Sequence, residues 1–372
     1  MQVLPARSYF DIIISDVNNS QVTPQPIYYS EARNIPYLHS PEKYDLSVVR
    51  WTCDTSTVPI WRAQITPGST SATTTIYSVT LVYGDQVQQV YVEYDSQAVH
   101  LPTPPSPSQT YNGLQDNSTN YYDVYNYQYV IYLFNIALQS AFDKLVSPPS
   151  PYAPVMTFDT VQNIAVINCD VAGYDISSPG AIQIFFNPAS AVMFSSFPFL
   201  LVNPVSTTGQ NYQLQVNIFT DATQTYWPPI VGGGASQYIA YQVFQESSTI
   251  TAWNPVLSIV MCSNSLPIIP NNISGTVNLG KAGSASNATG NNATTNQILT
   301  DFVSDTGIYR SMIVYTPSAE YRRMTMINSG GALTNLDISL YWRDRTGMLN
   351  PLLLASGSSV TIKLLFELHD RN

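Results

Sequence analysis

Two stretches near the carboxyl end of the chain, Leu336–Trp342 (LDISLYW) and Val360–Leu368 (VTIKLLFEL), alternate apolar and polar residues along almost their whole length. Successive side chains of a β-strand point to opposite faces of a sheet, so a period of two predicts strands with one buried and one solvated face. In the second stretch, Ile362, Leu364 and Phe366 fall on the face predicted to be buried. The pattern is typical of an antiparallel sheet.

The first of these stretches makes an equally definite prediction about its two faces. The residues predicted to face the core are Leu336, Ile338, Leu340 and Trp342, and those predicted to face solvent are Asp337, Ser339, Tyr341 and Arg343.

The same alternation occurs upstream. Thr75–Tyr83 and Val87–Tyr94 both alternate and flank the turn residues Gly84 and Asp85, which predicts a hairpin. Further predicted strands are Leu46–Trp51, Pro59–Ile65, Ala165–Cys169, Ala181–Phe186, Gln213–Phe219, Tyr238–Phe244 and Val256–Cys262.

One segment has a different period. Gln128–Val146 places its apolar residues at helical spacing, and the two prolines after Ser147 end the pattern. Proline-rich stretches at Leu101–Ser108 and Ser147–Pro154 flank this region, and we interpret them as stiff connectors. The sequence therefore predicts one long helix in a chain of strands.

These observations predict an all-β fold, an antiparallel jelly-roll sandwich with additional strands or an inserted β domain and one long helix. We divide the chain into four segments. Residues 1–100 hold the first strands of the sandwich, and 101–154 form a proline-flanked insertion with helix 128–146. Residues 155–295 hold further strands and an outer loop region around Gly280–Gln297, and 296–372 hold the closing strands of the jelly roll.

Composition and charge restrict the class of function. Only 10% of the 372 residues are charged, against about 25% in a typical soluble domain. Residues 63–309 hold two basic and thirteen acidic side chains, a net charge of −11, which would repel phosphate. We therefore expect no sequence-specific binding of nucleic acid. We see no membrane span and no secretion signal in the sequence.

Residues that carry chemistry are few and scattered. The three cysteines lie in or beside apolar runs and are predicted to be buried free thiols: Cys53, Cys169 and Cys262. The three histidines are isolated from one another, so no metal site is predicted: His39, His100 and His369.

Two carboxylate pairs were weighed for glycoside hydrolysis, Asp159 with Asp170 and Asp337 with Asp344. We interpret all four as residues on solvent faces of strands or in turns. We therefore expect no catalytic residue, no cofactor-binding residue and no cofactor.

The segment Asn120–Tyr132 carries six tyrosines. Tyrosine is enriched at protein interfaces, so the segment fits a contact between subunits. It fits equally well a cover over the helix that follows.

Several segments carry a family resemblance: Asn296–Phe302 (NQILTDF), Ile313–Arg323 (IVYTPSAEYRR), Leu336–Phe366, Lys43–Arg62 (KYDLSVVRWTCDTSTVPIWR), Pro154–Asp159 (PVMTFD) and Ile184–Phe199 (IFFNPASAVMFSSFPF). Together they resemble jelly-roll virion proteins of small eukaryotic DNA viruses of the virophage, Polinton-like and adintovirus kind. The resemblance spans most of the chain and rests on strand patterns.

The resemblance implies a capsid subunit of the virion, penton-type or minor capsid, which is assembled in the host cell. Its implied partners are copies of itself in a homo-oligomer, with a pentamer as one candidate state, and other capsid proteins. Penton proteins are typically single jelly rolls with an inserted outer domain, and the acidic middle of this chain fits such an insertion.

Two other classes of function fit the sequence. A virion attachment or spike protein, or a lectin-like carbohydrate-binding protein, would present a compact cleft of exposed aromatic side chains. A β-fold hydrolase would bring two carboxylates together in a pocket.

Overall fold

The computed structural model describes residues 6–16, 24–97, 103–104, 110–111, 114–115, 120–202, 211–216, 225–226, 238–268, 297–303, 312–316, 324–327, 330–345 and 347–369. The loop predicted at Gly280–Gln297 lies outside these residues, apart from Gln297 itself, and so does His100.

The elements are numbered in chain order. The strands in the first half are β1 (Arg7–Ser15), β2 (Gln25–Pro26), β3 (Tyr28–Ala32), β4 (Tyr44–Cys53), β5 (Trp61–Arg62), β6 (Thr74–Tyr83), β7 (Gln86–Glu93), β8 (Thr110–Tyr111), β9 (Leu114–Gln115), β10 (Asp123–Val124), β11 (Val155–Asp159), β12 (Ile164–Asp170) and β13 (Gln183–Phe186). The strands in the second half are β14 (Phe199–Val202), β15 (Asn211–Leu214), β16 (Thr225–Tyr226), β17 (Tyr238–Phe244), β18 (Val256–Ser263), β19 (Gln297–Phe302), β20 (Ile313–Tyr315), β21 (Met324–Thr325), β22 (Asn335–Asp344), β23 (Leu349–Pro351), β24 (Leu353–Leu354) and β25 (Ser359–Leu368).

The α-helices are α1 (Tyr127–Phe142), α2 (Val171–Tyr174), α3 (Pro188–Met193) and α4 (Ile250–Trp253). Two short 3₁₀ helices cover Pro41–Lys43 and Asn120–Tyr122.

The chain forms two compact units, which we name the jelly-roll unit and the inserted unit. The jelly-roll unit comprises Met1–Pro59 and Pro255–Asn372, and the inserted unit comprises Ile60–Asn254. The inserted unit therefore interrupts the sequence of the other between β4 and β18. The division of the chain into four segments, which was made from the sequence, stays a prediction.

Eight strands of the jelly-roll unit form two antiparallel sheets: β1, β3, β4, β18, β19, β20, β22 and β25. The first sheet has the order β1-β25-β4-β20, and in the second β3 pairs β22, which continues to β18 and β19. Counted along the chain, these orders are 1-8-3-6 and 2-7-4-5, the arrangement of one jelly roll built from two Greek keys. The predicted fold class is confirmed.

Strand β25 lies between two neighbours in the first sheet. It pairs with β1 over nine residues and with β4 over most of its length. Ile362, Leu364 and Phe366 are at most 1% exposed, as the alternation predicted. The Phe366 ring meets Phe10 edge-on at 5.3 Å between ring centroids, so the core of the unit is filled by aromatic as well as aliphatic side chains.

One half of the prediction for β22 is wrong. Leu336, Ile338, Leu340 and Trp342 are buried as expected, but Asp337 and Ser339 on the other face are also buried. β22 is a central strand, and a second apolar cluster packs on its outer side. This cluster comprises Val260, Cys262 and Ile298, with Tyr341 and Leu349 packed against it.

The inserted unit contains a five-stranded sheet, β14-β15-β13-β6-β7, and a four-stranded sheet, β11-β12-β17-β16. The predicted hairpin is confirmed as β6 and β7, and Gly84 in its turn has a φ of 56°, a conformation that suits glycine. Three predicted strands differ in extent. The strand predicted at Gln213–Phe219 is β15, which ends at Leu214, and its last three predicted residues lie outside the described ranges. Pro59–Ile65 contributes only β5, and Ala181–Phe186 contributes β13.

The predicted helix is present with different bounds. It begins at Tyr127, where the Asn126 side chain caps it by accepting the N–H of Gln128 at 2.9 Å. It ends at Phe142 rather than Val146, because the chain turns there and buries Leu145 before Ser147 takes a φ of 51°. The helix packs against β6, β7 and β11.

The tyrosine-rich segment before the helix is mostly interior. Tyr121, Tyr122 and Tyr127 are buried, and the Tyr122 hydroxyl donates to the carbonyl oxygen of Ala72 at 3.0 Å. Of the segment's six tyrosines, Tyr132 has more than half of its surface exposed. These three side chains therefore pack within their own copy: Tyr121 and Tyr122 contact the Tyr94 ring, and Tyr127 is the first residue of α1.

A buried ion pair joins two short strands of the inserted unit. Arg62 Nε donates to Asp123 Oδ1 at 2.7 Å, and a second guanidinium nitrogen donates to Oδ2 at 3.2 Å. Asp123 is only 2% exposed. Removing one member of such a pair leaves an uncompensated buried charge, so loss of either side chain would destabilise the contact between β5 and β10.

We expect Phe366→Ala to lower the free energy of unfolding by roughly 3–5 kcal/mol, because it leaves a cavity in a fully buried site. Leu365→Ala is the matched control, since Leu365 points to the opposite, partly exposed face of the same strand. Urea denaturation of both variants measures the difference. Equal losses would contradict the observed register of β25.

The Asp337 carboxylate accepts hydrogen bonds from the Ser263 hydroxyl at 2.8 Å and from the N–H groups of Asn264 at 3.1 Å and Ser265 at 2.7 Å. Burial raises the pKa of Asp337, but these hydrogen bonds outweigh it, and the net pKa is lowered. The ionised carboxylate therefore stabilises the fold above its unfolded-state pKa of about 3.9, and this stability is lost as the pH falls through the lower folded-state pKa.

We expect Asp337→Asn to cost about 1–3 kcal/mol at pH 7, with the difference from wild type shrinking as the pH falls below about 4. Asp85→Asn, at an exposed turn position, is the control and should change stability little. Thermal unfolding between pH 2 and pH 7 provides the measurement. A difference that stays constant across this range would show that ionisation of Asp337 is irrelevant.

Candidate assembly surface

The outer face of the first sheet is the candidate functional surface. The odd-numbered residues of β1 point to this face, and the register carries them into rows across β25, β4 and β20. One row consists of Ile13, Thr361, Thr52 and Val314. Its two central hydroxyls lie 2.5 Å apart in a hydrogen bond, and its two ends carry large apolar side chains.

A second row carries charges that neutralise one another. The Asp11 carboxylate interacts with two cations, with Lys363 Nζ at 3.4 Å and the Arg50 guanidinium at 3.9 Å from its oxygens. Further along the face, Arg7 pairs with Glu367 at 2.7 Å. These exposed pairs contribute little stability, but they leave the face with little net charge.

Large apolar side chains remain exposed between and beside these pairs. Ile13 is 68% exposed, Val314 60% and Tyr9 52%. The Lys363 ammonium lies 5.2 Å from the centre of the Tyr9 ring. Exposed apolar groups on a surface of low net charge are typical of the buried core of a protein interface.

The sequence analysis did not select these residues. Strand β1 was not among the predicted strands, because Ile12–Ile14 is apolar on both faces and breaks the alternation. The three consecutive isoleucines were the one signal in the sequence that this strand carries apolar side chains on both of its faces.

The two carboxylate pairs are too far apart to flank a sugar. Asp159 lies opposite Ile164, six residues from Asp170 along β12, which is roughly 20 Å. Asp337 and Asp344 lie seven residues apart on β22, roughly 24 Å. Glycosidase carboxylates lie within about 10 Å of each other.

The prediction that these four residues lie on solvent faces of strands or in turns is wrong for Asp337, which is a buried strand residue, whereas Asp344 lies at a turn and is buried there. Asp337 and Asp344 are 6% and 7% exposed. Asp344 closes a turn by accepting the N–H of Met348 at 3.0 Å, so its role is local. Asp159 accepts the N–H of Val161 at 2.7 Å, and Asp170 caps α2.

The cysteines are buried free thiols, as predicted. Burial raises the pKa of Cys53 and of Cys262 to about 12, so neither is a reactive thiolate at neutral pH. His39 is exposed, and His369 Nδ1 lies 3.0 Å from Asp45. Within the described ranges, no group of three metal-ligating side chains comes together.

Exposed aromatic side chains in the inserted unit would serve a carbohydrate site. Tyr91, Tyr132 and Phe244 are about half exposed and lie on β7, α1 and β17. Among the described residues, no ring contact joins any two of these three side chains, so they form no stacked aromatic cleft. We also find no described helix with the length and apolar character of a membrane span.

Comparison with known proteins gives a consistent result. The family model of the Sputnik minor capsid protein V18/19 matches residues 8–368. An uncharacterised protein, V18 of the Sputnik virophage, is 32% identical over 153 residues, which cover 40% of this chain and 90% of that protein.

Two solved structures are similar over nearly the whole chain. A chain in the cryo-EM structure of the Sputnik virophage has a TM-score of 0.76 at 26% identity, covering 98% of each chain. The crystal structure of the mavirus penton protein has a TM-score of 0.62 at 16% identity, covering 98% of this chain and 99% of the other. The predicted resemblance is confirmed. The chain belongs to the Sputnik minor capsid protein V18/19 family, and it is a structural subunit of a virion capsid.

Proposed function

We propose that the chain is a penton-type subunit that forms a ring of identical copies, five in number, and has no catalytic activity. The observation that supports self-association is the outer face of the first sheet. Tyr9, Ile13 and Val314 are exposed there and are not part of the core of the unit. The number five is suggested by the similarity in fold to the mavirus penton protein.

The charge of the face supports self-association. Its acidic and basic groups are already paired within one copy, so covering the face leaves few uncompensated charges. Burying unpaired charges at an interface would cost several kcal/mol, and here the pairs avoid most of that cost.

The inserted unit is suited to a different role. Residues 60–254 hold eleven acidic and two basic side chains, a net charge of −9, whereas the remaining residues hold thirteen acidic and twelve basic ones, a net charge of −1. Such a unit repels phosphate and other copies of itself. This supports an absence of sequence-specific nucleic-acid binding, and it leaves contacts with copies and with other capsid proteins to the jelly-roll unit.

We expect Val314→Asp to weaken the self-association constant by at least tenfold, because it places an unpaired charge in the proposed interface. Val161→Asp is the matched control, since Val161 is 88% exposed in a turn of the inserted unit. Sedimentation velocity and negative-stain imaging of both variants and of the wild type report the oligomer. A wild-type protein that stays monomeric at high concentration, or two variants that behave alike, would contradict the proposed interface.

We expect self-association to strengthen as NaCl rises from about 0.05 to 0.5 M, because salt screens the repulsion between acidic inserted units. The double variant Asp85→Asn, Glu93→Gln removes two exposed carboxylates and should reduce this salt dependence. Sedimentation equilibrium at each salt concentration provides the test. Association that weakens with salt would show that attraction between charges dominates the contact.

A further inference from the structure

Strand β1 has one paired side and one open side. It is the terminal strand of the first sheet, and within the described parts of the chain no strand pairs along its other side. It pairs with β25 in an unbroken register of nine residues without a bulge. At nine residues it is much longer than β20, the three-residue strand at the opposite edge of the sheet.

The hydrogen bonds at its two ends show which main-chain groups face β25. The Asp16 N–H donates to the carbonyl oxygen of Ser358 at 3.1 Å, and the Leu368 N–H donates to that of Ala6 at 2.9 Å. Hydrogen-bonded and non-hydrogen-bonded pairs alternate in an antiparallel ladder. The even-numbered residues of β1 therefore bond to β25.

It follows that the odd-numbered residues direct their N–H and C=O groups toward the open side. Among them are Arg7, Tyr9, Asp11 and Ile13, whose side chains also lie on the outer face. The edge lacks the usual protection against pairing with other chains, since residues 7–15 contain no proline, glycine or lysine. Its charged side chains are Arg7 and Asp11, each of which pairs with a side chain of a neighbouring strand in the same copy.

We propose that the open side of β1 pairs, antiparallel, with β1 of a second copy around a two-fold axis at Tyr9. In this register Tyr9 lies opposite its equivalent, and Arg7 of each copy lies opposite Asp11 of the other. Arg7, Tyr9 and Asp11 then exchange main-chain hydrogen bonds with their opposed residues, and the charges attract.

The neighbouring registers lack this complementarity. An axis at Asp11 places two aspartates opposite each other, and like charges in directly opposed positions destabilise a sheet. A two-fold axis at Phe10 places Arg7 opposite Ile13. In that register neither Arg7 nor Asp11 lies opposite a side chain of the other charge.

The contact uses the same patch on both copies and joins two five-stranded sheets into one of ten strands, so it closes at two copies. It rests on the proposed self-association and adds a second contact to it: the ring uses the outer face of the sheet, whereas this contact uses its edge. A chain able to make both contacts links one ring to another.

Disulfide cross-linking of the full chain tests the register. Tyr9→Cys should form a covalent dimer under mild oxidation, because the two positions lie about 5.5 Å apart between Cα atoms, within the range of a disulfide. Ile13→Cys is the matched control, since Ile13 is also exposed and lies on the same face of the same strand, but its two copies lie about 27 Å apart. The three native cysteines are buried and contribute no competing thiol.

A charge exchange gives an independent readout. Both charge variants are made in a Glu367→Gln, Lys363→Gln background, which removes the nearest partner of Arg7 and of Asp11 within one copy. In this background Arg7→Asp should weaken the two-fold contact at least tenfold, and the double variant Arg7→Asp, Asp11→Arg should restore it, since the charges are again complementary across the axis. Thermal melts confirm that each variant is folded. Equal cross-linking of the two cysteine variants, no cross-linking at Tyr9→Cys, or a failure of the double variant to restore the contact would overturn the proposal.

These experiments distinguish a failure of the ring contact from a failure of the edge contact. Val314→Asp should leave the Tyr9→Cys cross-link intact, because Val314 lies on the face and away from the edge. Rings without a Tyr9→Cys cross-link would overturn the edge contact alone. A cross-linked dimer that never forms rings would support the edge contact and contradict the ring. A foreign strand bound to β1 in place of a second copy would also overturn this proposal.

Discussion

Strand β25 is hydrogen-bonded on both sides, to β1 and to β4, and the jelly-roll unit depends on this pairing. It joins residues near the two ends of the chain and buries Phe366 completely. One β-bulge interrupts the pairing of β25 with β4. The register shifts between Lys363 and Leu364, which leaves one extra residue in β4, and this bulge lets both Val48 and Trp51 point into the core. The same register aligns the rows of the outer face.

The two units divide the charge of the chain unequally, and this division has a physical consequence. The jelly-roll unit is nearly neutral, and the ion pairs on its outer face are internal to one copy. A neutral face with exposed apolar side chains suits close association, whereas a unit of charge −9 opposes it. A capsid subunit needs both properties, since it must associate in defined directions and stay dispersed in all others.

Much of the fold could be predicted from local pattern, and the failures share one cause. Alternation identified β25, the β6–β7 hairpin and β17, and helical spacing identified α1. The prediction failed for Asp337, which is buried because β22 is a central strand and Ser263, Asn264 and Ser265 hydrogen-bond its carboxylate. It also missed β1. In both strands, burial depends on which other strands lie alongside, and a single stretch of sequence does not contain that information.

The sequence by itself determined that the chain is β-rich, which face of its last strand is buried, and that it resembles capsid proteins. Tertiary structure decided the strand order 1-8-3-6 and 2-7-4-5, the interruption of the jelly roll after β4, and the rows that bring Ile13 and Val314 onto one face. The physical reason lies in the range of the interactions. Alternation arises from the geometry of one strand, whereas sheet order and open edges arise from hydrogen bonds between residues such as Ser8 and Phe366, which are paired across almost the whole length of the chain.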